Sequence, residues 1–206
     1  MKKSPLKYIS SNSNKIVKRL TLLQTKSRKR NKEQLFVIEG NRELSRAIEM
    51  GYSLESIFYR ENTKVELINN PLVDCYELSA KLFDRISFRS AAAEVLAIVK
   101  ATNHKLENLI LNNDSKILVL ESPEKPGNIG ALIRTAAAAG IDALIIANPK
   151  TDLYHPQIIR NSLGGLFCVP IAMDSSNNVI SFLKKNNFNI KITALISKAK
   201  HYKRIK

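Results

Sequence analysis

The chain has 206 residues, 33 Lys+Arg against 18 Asp+Glu, a formal net charge of +15, 44% hydrophobic and 25% charged residues. These values lie near globular averages, which excludes a wholly disordered or collagen-like chain and leaves room for one domain or two small ones. No apolar run approaches the ~18 residues of a membrane span, the polar stretch 10–15 stands where a signal peptide would be apolar, and the distant pair Cys75 and Cys168 makes neither a disulfide framework nor a metal cluster.

Residues 13–30 read as one helix, with Ile16, Leu20 and Leu23 at helical spacing, Ser13 as cap and basic residues on the remaining positions. It is part of the most basic segment: residues 1–32 carry eleven Lys/Arg and no acid, and residues 184–206 carry eight and no acid. Residues 33–183 hold all 18 acids against 14 basic residues, so the body is mildly acidic between basic ends. Such ends suit a polyanion, nucleic acid before an anionic membrane, or are solvated tails. A strand at 35–38, a helix at 42–50 stopped by Gly51, a strand at 57–59, a helix after Asn62, a strand at 73–78, a helix capped by Ser79 and a strand at 95–99 follow. Residues 1–100 therefore read as a basic helix and a small α/β domain with some parallel pairing.

The Asn-rich segment 101–115 reads as a linker, and a second alternation fills 116–206. Strands are expected at 116–121, 143–147, 166–171 and 188–196, with helices at 128–139, 156–163 and 176–187. Crossovers of this kind imply an open sheet covered on both faces. The two cysteines are expected to be buried, reduced thiols of a cytoplasmic protein. His104, His155 and His201 are scattered and suit structural or surface roles better than a catalytic set.

The stretch from Leu118 to Gly140 is a strand, a Pro/Gly loop and a helix starting at the strand's carboxyl end, where open α/β sheets bind ligands. It lacks the Gly-Lys-Ser/Thr ending of a P-loop and the three-glycine dinucleotide fingerprint. Small Gly127 and Gly130 would let a ligand approach the backbone. Arg134 falls off the apolar face of this helix, one to two turns on. It either reaches a phosphate or ribose held at the loop or is an ordinary solvated arginine. Glu121, at the strand end, either touches a ribose or closes a loop.

Asn128-x-Gly130-x-x-x-Arg134-Thr135-Ala136 resembles the first motif of the SpoU (TrmH) family of RNA 2′-O-methyltransferases, members of the SPOUT superfamily with a trefoil-knotted α/β fold. Arg160-Asn-Ser162-Leu-Gly164-Gly-Leu-Phe-Cys-Val-Pro170-Ile171 resembles the next family segment. The basic run through Arg30, with Phe36-Val-Ile-Glu-Gly40, resembles the family's substrate-binding domain. The resemblance implies S-adenosylmethionine as cofactor, ribosomal or transfer RNA as substrate, a homodimer, and neither membrane nor metal. It implies catalytic roles for Arg134 and Asn128, RNA contacts for Arg160 and Ser162, and RNA binding by the basic segment at Lys26, Arg28 and Arg30. Thr193 and Ala194 match the edge of the cofactor site. The family's later Gly-x-Glu-x-x-Gly loop and Ser-Leu-Asn-Val-Ser-type motif do not follow before Lys206. The expectation is thus a SPOUT-type domain incomplete at its carboxyl end. The alternative to an enzyme is a truncated, inactive remnant that still binds RNA.

Overall fold

The computed structural model describes residues 6–63, 73–88 and 93–193. Its first half contains β1 (Lys7–Ile9), α1 (Lys15–Thr25), α2 (Ser27–Glu33), β2 (Leu35–Glu39), α3 (Asn41–Glu49), β3 (Leu54–Arg60), β4 (Asp74–Leu78), α4 (Ala80–Ile86) and β5 (Val95–Lys100). The strands form one sheet in the order β1-β4-β3-β5-β2, parallel across β1, β4 and β3 and antiparallel from β3 through β5 to β2. The second half contains β6 (Ile117–Glu121), α5 (Pro126–Ala138), β7 (Ala143–Ala147), α6 (Pro156–Ser162), α7 (Gly165–Cys168), β8 (Ile171–Asp174) and α8 (Ser176–Lys185). Here β6, β7 and β8 make an all-parallel sheet in that order.

The apolar strands follow from how these elements stack. Side chains alternate across a strand. In β5, Leu96 and Ile98 join a cluster with Val17, Leu20 and Leu23 of α1 and Leu82 and Phe83 of α4. Val95, Ala97 and Val99 face the other way, into a cluster with Ile133 of α5, Ile158 of α6 and Phe167 of α7. β7 repeats the arrangement: Leu144 and Ile146 face those same helices, while Ile145 and Ala147 meet Val179 and Leu183 of α8. Helices α5–α7 are therefore a middle layer shared by both sheets. Phe36 of β2 stacks on Tyr154 at 4.1 Å between ring centroids, so aromatic packing crosses from one half to the other.

The segment 101–115 is held against the second half. Leu106, in a single 3-10 turn, is buried in the cluster behind β7. The Nδ1 of His104 lies 2.9 Å from the Ile171 carbonyl and must donate to it. Its Nε2 then accepts from the Tyr154 hydroxyl at 2.8 Å, and that oxygen accepts from the Thr102 N–H at 3.0 Å.

Several expectations are corrected. The helix at 13–30 is two helices that break at Lys26, whose backbone is extended, and Asn14 rather than Ser13 caps the first. The break has a use. Arg30 Nη1 donates to the Leu23 and Gln24 carbonyls (2.7 and 3.1 Å), two of the carbonyls α1 leaves open at its end. Its Nε donates to Asp152 at 2.5 Å in a buried ion pair. Residues 166–168 form helix rather than strand, because left-handed Gly164 restarts a helical turn that puts Leu166 and Phe167 in the core. The strand starts only after Pro170, which has no N–H for a ladder. Residues 188–193 form no strand. Phe188 folds back to pack behind β7, and Ile192 stands exposed. Strand β1 is an addition to the expected elements, since its three residues sit in a polar, basic context. Cys168 is exposed and Cys75 half-buried: Cys168 is the last residue of α7, and its thiol donates to the Gly164 carbonyl at 3.5 Å. The helix expected after Asn62, and His201, lie outside the described residues.

This packing has two measurable consequences. Replacing Arg30 with Ala strands the Asp152 carboxylate and should cost about 3–5 kcal/mol in urea denaturation, with Arg30→Lys recovering only part of it. Burial draws the His104 imidazole below the ordinary value of 6.5, against the opposing effect of its bond to Ile171. The unfolded chain then takes up its proton before the folded one does. Stability should be full above pH 6.5 and fall as the pH drops below it. His104→Gln should flatten that fall in melting temperatures followed from about pH 7.5 to about pH 5.

Candidate functional site

The loop after β6 delivers the chain to α5, whose Pro126 is pre-shaped for a first helical turn. Gly130 is buried. A Cβ there would lie 2.7 Å from Asn161 Cβ and 2.8 Å from the Ile158 carbonyl, so this glycine makes room for α6, not for a ligand. Gly165 does the same on the other side, where a Cβ would meet the Ile133 carbonyl at 3.3 Å. Helix α5 is thus gripped by α6 and α7. Asn161 Nδ2 adds a hydrogen bond to the Gly127 carbonyl at 3.3 Å.

The grip places charge. Arg134, exposed on α5, lines a cleft of about 440 Å³ with Ala131, Arg160, Asn161, Leu163 and Arg42 of α3. Three arginines, one from each of three helices, therefore line one cleft. Among the described residues only Arg42 of the three has an ion-pair partner, Glu43 at 2.8 Å. An open cleft so lined suits anions, because guanidinium forks match phosphate geometry.

The residues expected to act fall into groups. Arg134 and Arg160 share the cleft. Asn128 is exposed in the first turn of α5, one turn before Ala131 of the cleft wall. Ser162 is buried and its hydroxyl donates to the Ile159 carbonyl at 2.8 Å, so it closes α6 from inside. Arg30 is only 4% exposed and occupied by Asp152 and two carbonyls, withdrawn from the basic surface. Lys26 and Arg28 are exposed. Arg19 is tied to Glu33 and Glu55, and Lys29 to Glu33, so much of the α1–α2 charge is neutralised in place. Thr193 is exposed, and Ala194 lies outside the described residues. Sequence reasoning misses Arg42 and Asn161. Arg42 follows the Glu39-Gly40 pair of the substrate-domain motif, and Asn161 sits between Arg160 and Ser162.

At the carboxyl ends of β6 and β7, Glu121 closes a loop network. It accepts hydrogen bonds from Ser176 Oγ (2.5 Å), Ser122 Oγ (3.0 Å) and Asn148 Nδ2 (3.2 Å). These bonds, Ser176 first, hold its carboxyl below the usual carboxylate range against the opposing effect of desolvation. His155 caps α6 through Nδ1, which accepts from the Gln157 N–H. Burial first, then nearby Arg30, lowers its basicity and keeps that acceptor free.

Comparison with known proteins adds the following. Residues 115–206 match the model of the SpoU rRNA Methylase family, and residues 14–97 match the MRM3-like substrate binding domain. A Bacillus subtilis (strain 168) protein named 23S rRNA (guanosine(2553)-2′-O)-methyltransferase is 27% identical over 92% of this chain and 74% of its own length. The SpoU methyltransferase AviRb from Streptomyces viridochromogenes, solved in complex with the cofactor AdoMet, superposes with a TM-score of 0.76. It is 26% identical over 84% of this chain and 68% of that one. A crystal structure of an RNA 2′-O ribose methyltransferase superposes with a TM-score of 0.74 and is 33% identical over 87% of this chain and 70% of that one.

If Gly130 serves the α5–α6 contact, Gly130→Ala should cost about 1–3 kcal/mol by overpacking, and Gly127→Ala, whose Cβ would meet only the Asn161 amide at 3.3 Å, distinctly less. Paired chemical denaturation curves check the ranking.

Proposed function

The chain belongs to the SpoU rRNA methylase family, and from that membership we propose that it transfers a methyl group from S-adenosylmethionine to a ribose 2′-hydroxyl of ribosomal or transfer RNA. The observation that carries the reading is the convergence of Arg42, Arg134 and Arg160 on one open cleft beside the first turn of α5. The relatives' names, rRNA 2′-O-methyltransferases, favour an enzyme over an RNA-binding remnant.

The donor, when bound, supplies the electrophilic methyl group. In this reading the three-arginine cleft is the RNA side of the reaction centre. A 2′-hydroxyl is a weak nucleophile until it loses its proton. A guanidinium already carries its proton and has no acceptor for another, so Arg134 acts electrostatically. It holds a substrate phosphate beside the hydroxyl, so that the proton leaves to that phosphate or to solvent water as the oxygen takes the methyl group, and it stabilises the negative charge that develops on the oxygen. Arg160 and Arg42 grip the same backbone, and Asn128, one turn earlier, orients the ribose. Lys26 and Arg28 extend the phosphate track.

Two further parts of the reading rest on surface chemistry. Val119 of β6 and Leu132 of α5 are exposed apolar side chains that a homodimer of the kind the resemblance implies would cover. A cytoplasmic setting suits two unpaired thiols. Among the described residues no helix is long and apolar enough to cross a membrane.

Arg134→Ala should lower the turnover of labelled methyl into ribosomal RNA by about 100-fold or more while RNA affinity changes only a few-fold. A variant that methylates like the parent would remove Arg134 from the mechanism. Lys26→Ala with Arg28→Ala should reduce the slope of log affinity against log salt by roughly 0.7–0.9 for each phosphate no longer neutralised.

A further inference from the structure

A second crevice, of about 480 Å³, opens between the two halves on the other side of Arg160. Its walls include Gln24, Glu39, Phe88, His155, Ile159 and Arg160. The volume falls within the roughly 300–1,000 Å³ typical of small-ligand sites. Arg160 lines both this crevice and the three-arginine cleft, so the two adjoin at one arginine.

Phe88 is the unusual wall. It is 55% exposed, although its ring is large and apolar. Its backbone is nevertheless anchored, to Glu39 of the same crevice wall. The Phe88 N–H donates to Glu39 Oε2 at 3.0 Å, and the Ser87 hydroxyl donates to Glu39 Oε1 at 2.6 Å. Buried Gln24 donates to the Ile86 carbonyl at 3.1 Å. An exposed aromatic ring on an anchored backbone, in one crevice with a guanidinium, offers an aromatic face and a cation at once. That pair suits a group with a flat π-face and a phosphate, an unstacked nucleotide. Lys26, exposed next to Thr25 of the same crevice, adds positive charge at the rim.

Resting on the RNA methyltransferase reading, we propose that this crevice receives the base of a nucleotide next to the methylated one. The base stacks on Phe88, and the phosphate between the two nucleotides lies on Arg160. The crevice thereby sets which ribose reaches Arg134.

The test uses the full chain and a seven-nucleotide single-stranded RNA carrying one 2-aminopurine. Binding should quench the 2-aminopurine. Phe88→Ala should weaken binding about 5-fold to 100-fold and relieve the quenching, with the salt slope unchanged. Phe88→Tyr should restore both. Arg160→Ala should instead lower the salt slope by about 0.7 and keep the quenching in the residual complex. A Phe88→Ala chain with parental melting temperature, affinity and quenching overturns the stacking site while leaving the enzyme reading intact. A parent chain that binds neither this RNA nor ribosomal RNA overturns both.

Discussion

The ion pair between Arg30 and Asp152 governs the arrangement of the molecule. It joins residues 122 apart in sequence, and both side chains are almost wholly out of water. A buried charge pair is tolerable only when the remaining hydrogen-bonding capacity is met. Here Arg30 also closes the end of α1, and Asp152 Oδ1 accepts from the Tyr154 N–H at 3.0 Å. That turn leads directly into α6. The pair thus sets where α6 begins, and α6 carries Arg160 and Asn161 to the three-arginine cleft.

Around that fixed point the charge divides by task. Arg30, Arg19 and Lys29 are consumed by structural carboxylates. Arg134 and Arg160 have no ion-pair partner among the described residues and face open solvent in a cleft. The net charge of +15 therefore overstates what is available to a polyanion, and location matters more than total. The glycines divide similarly. Gly130 and Gly165 let backbones meet, and Gly164, at φ +91°, starts the turn that makes α7. Functional geometry here depends on helix packing more than on a flexible loop.

Much of the fold could be read from periodicity. The apolar runs at 35–38, 95–99 and 143–147 are strands because both of their faces are covered, which is also why they are apolar throughout. Reading failed where a local pattern was overridden. The stretch 166–171 has strand-like composition, but Gly164 and Pro170 divide it into a helical turn and a later strand. The basic run 26–30 looks uniformly like a nucleic-acid face, yet one of its arginines, Arg30, points inward.

The sequence by itself determined the alternation of elements, the motif around Asn128 and Arg134, and the family they indicate. These depend on neighbours within a helix turn or on residues in a fixed order, and local sterics and side-chain periodicity dictate them. Only the tertiary structure decided which of the described cations have an ion-pair partner, that Ser162 turns inward, that Gly130 accommodates a helix and not a ligand, and that Arg42 joins the cleft. Each of those depends on a partner far away in the chain. Whether an arginine is a ligand or a clasp follows from the carboxylate it meets after folding, and its own sequence neighbourhood does not name that partner.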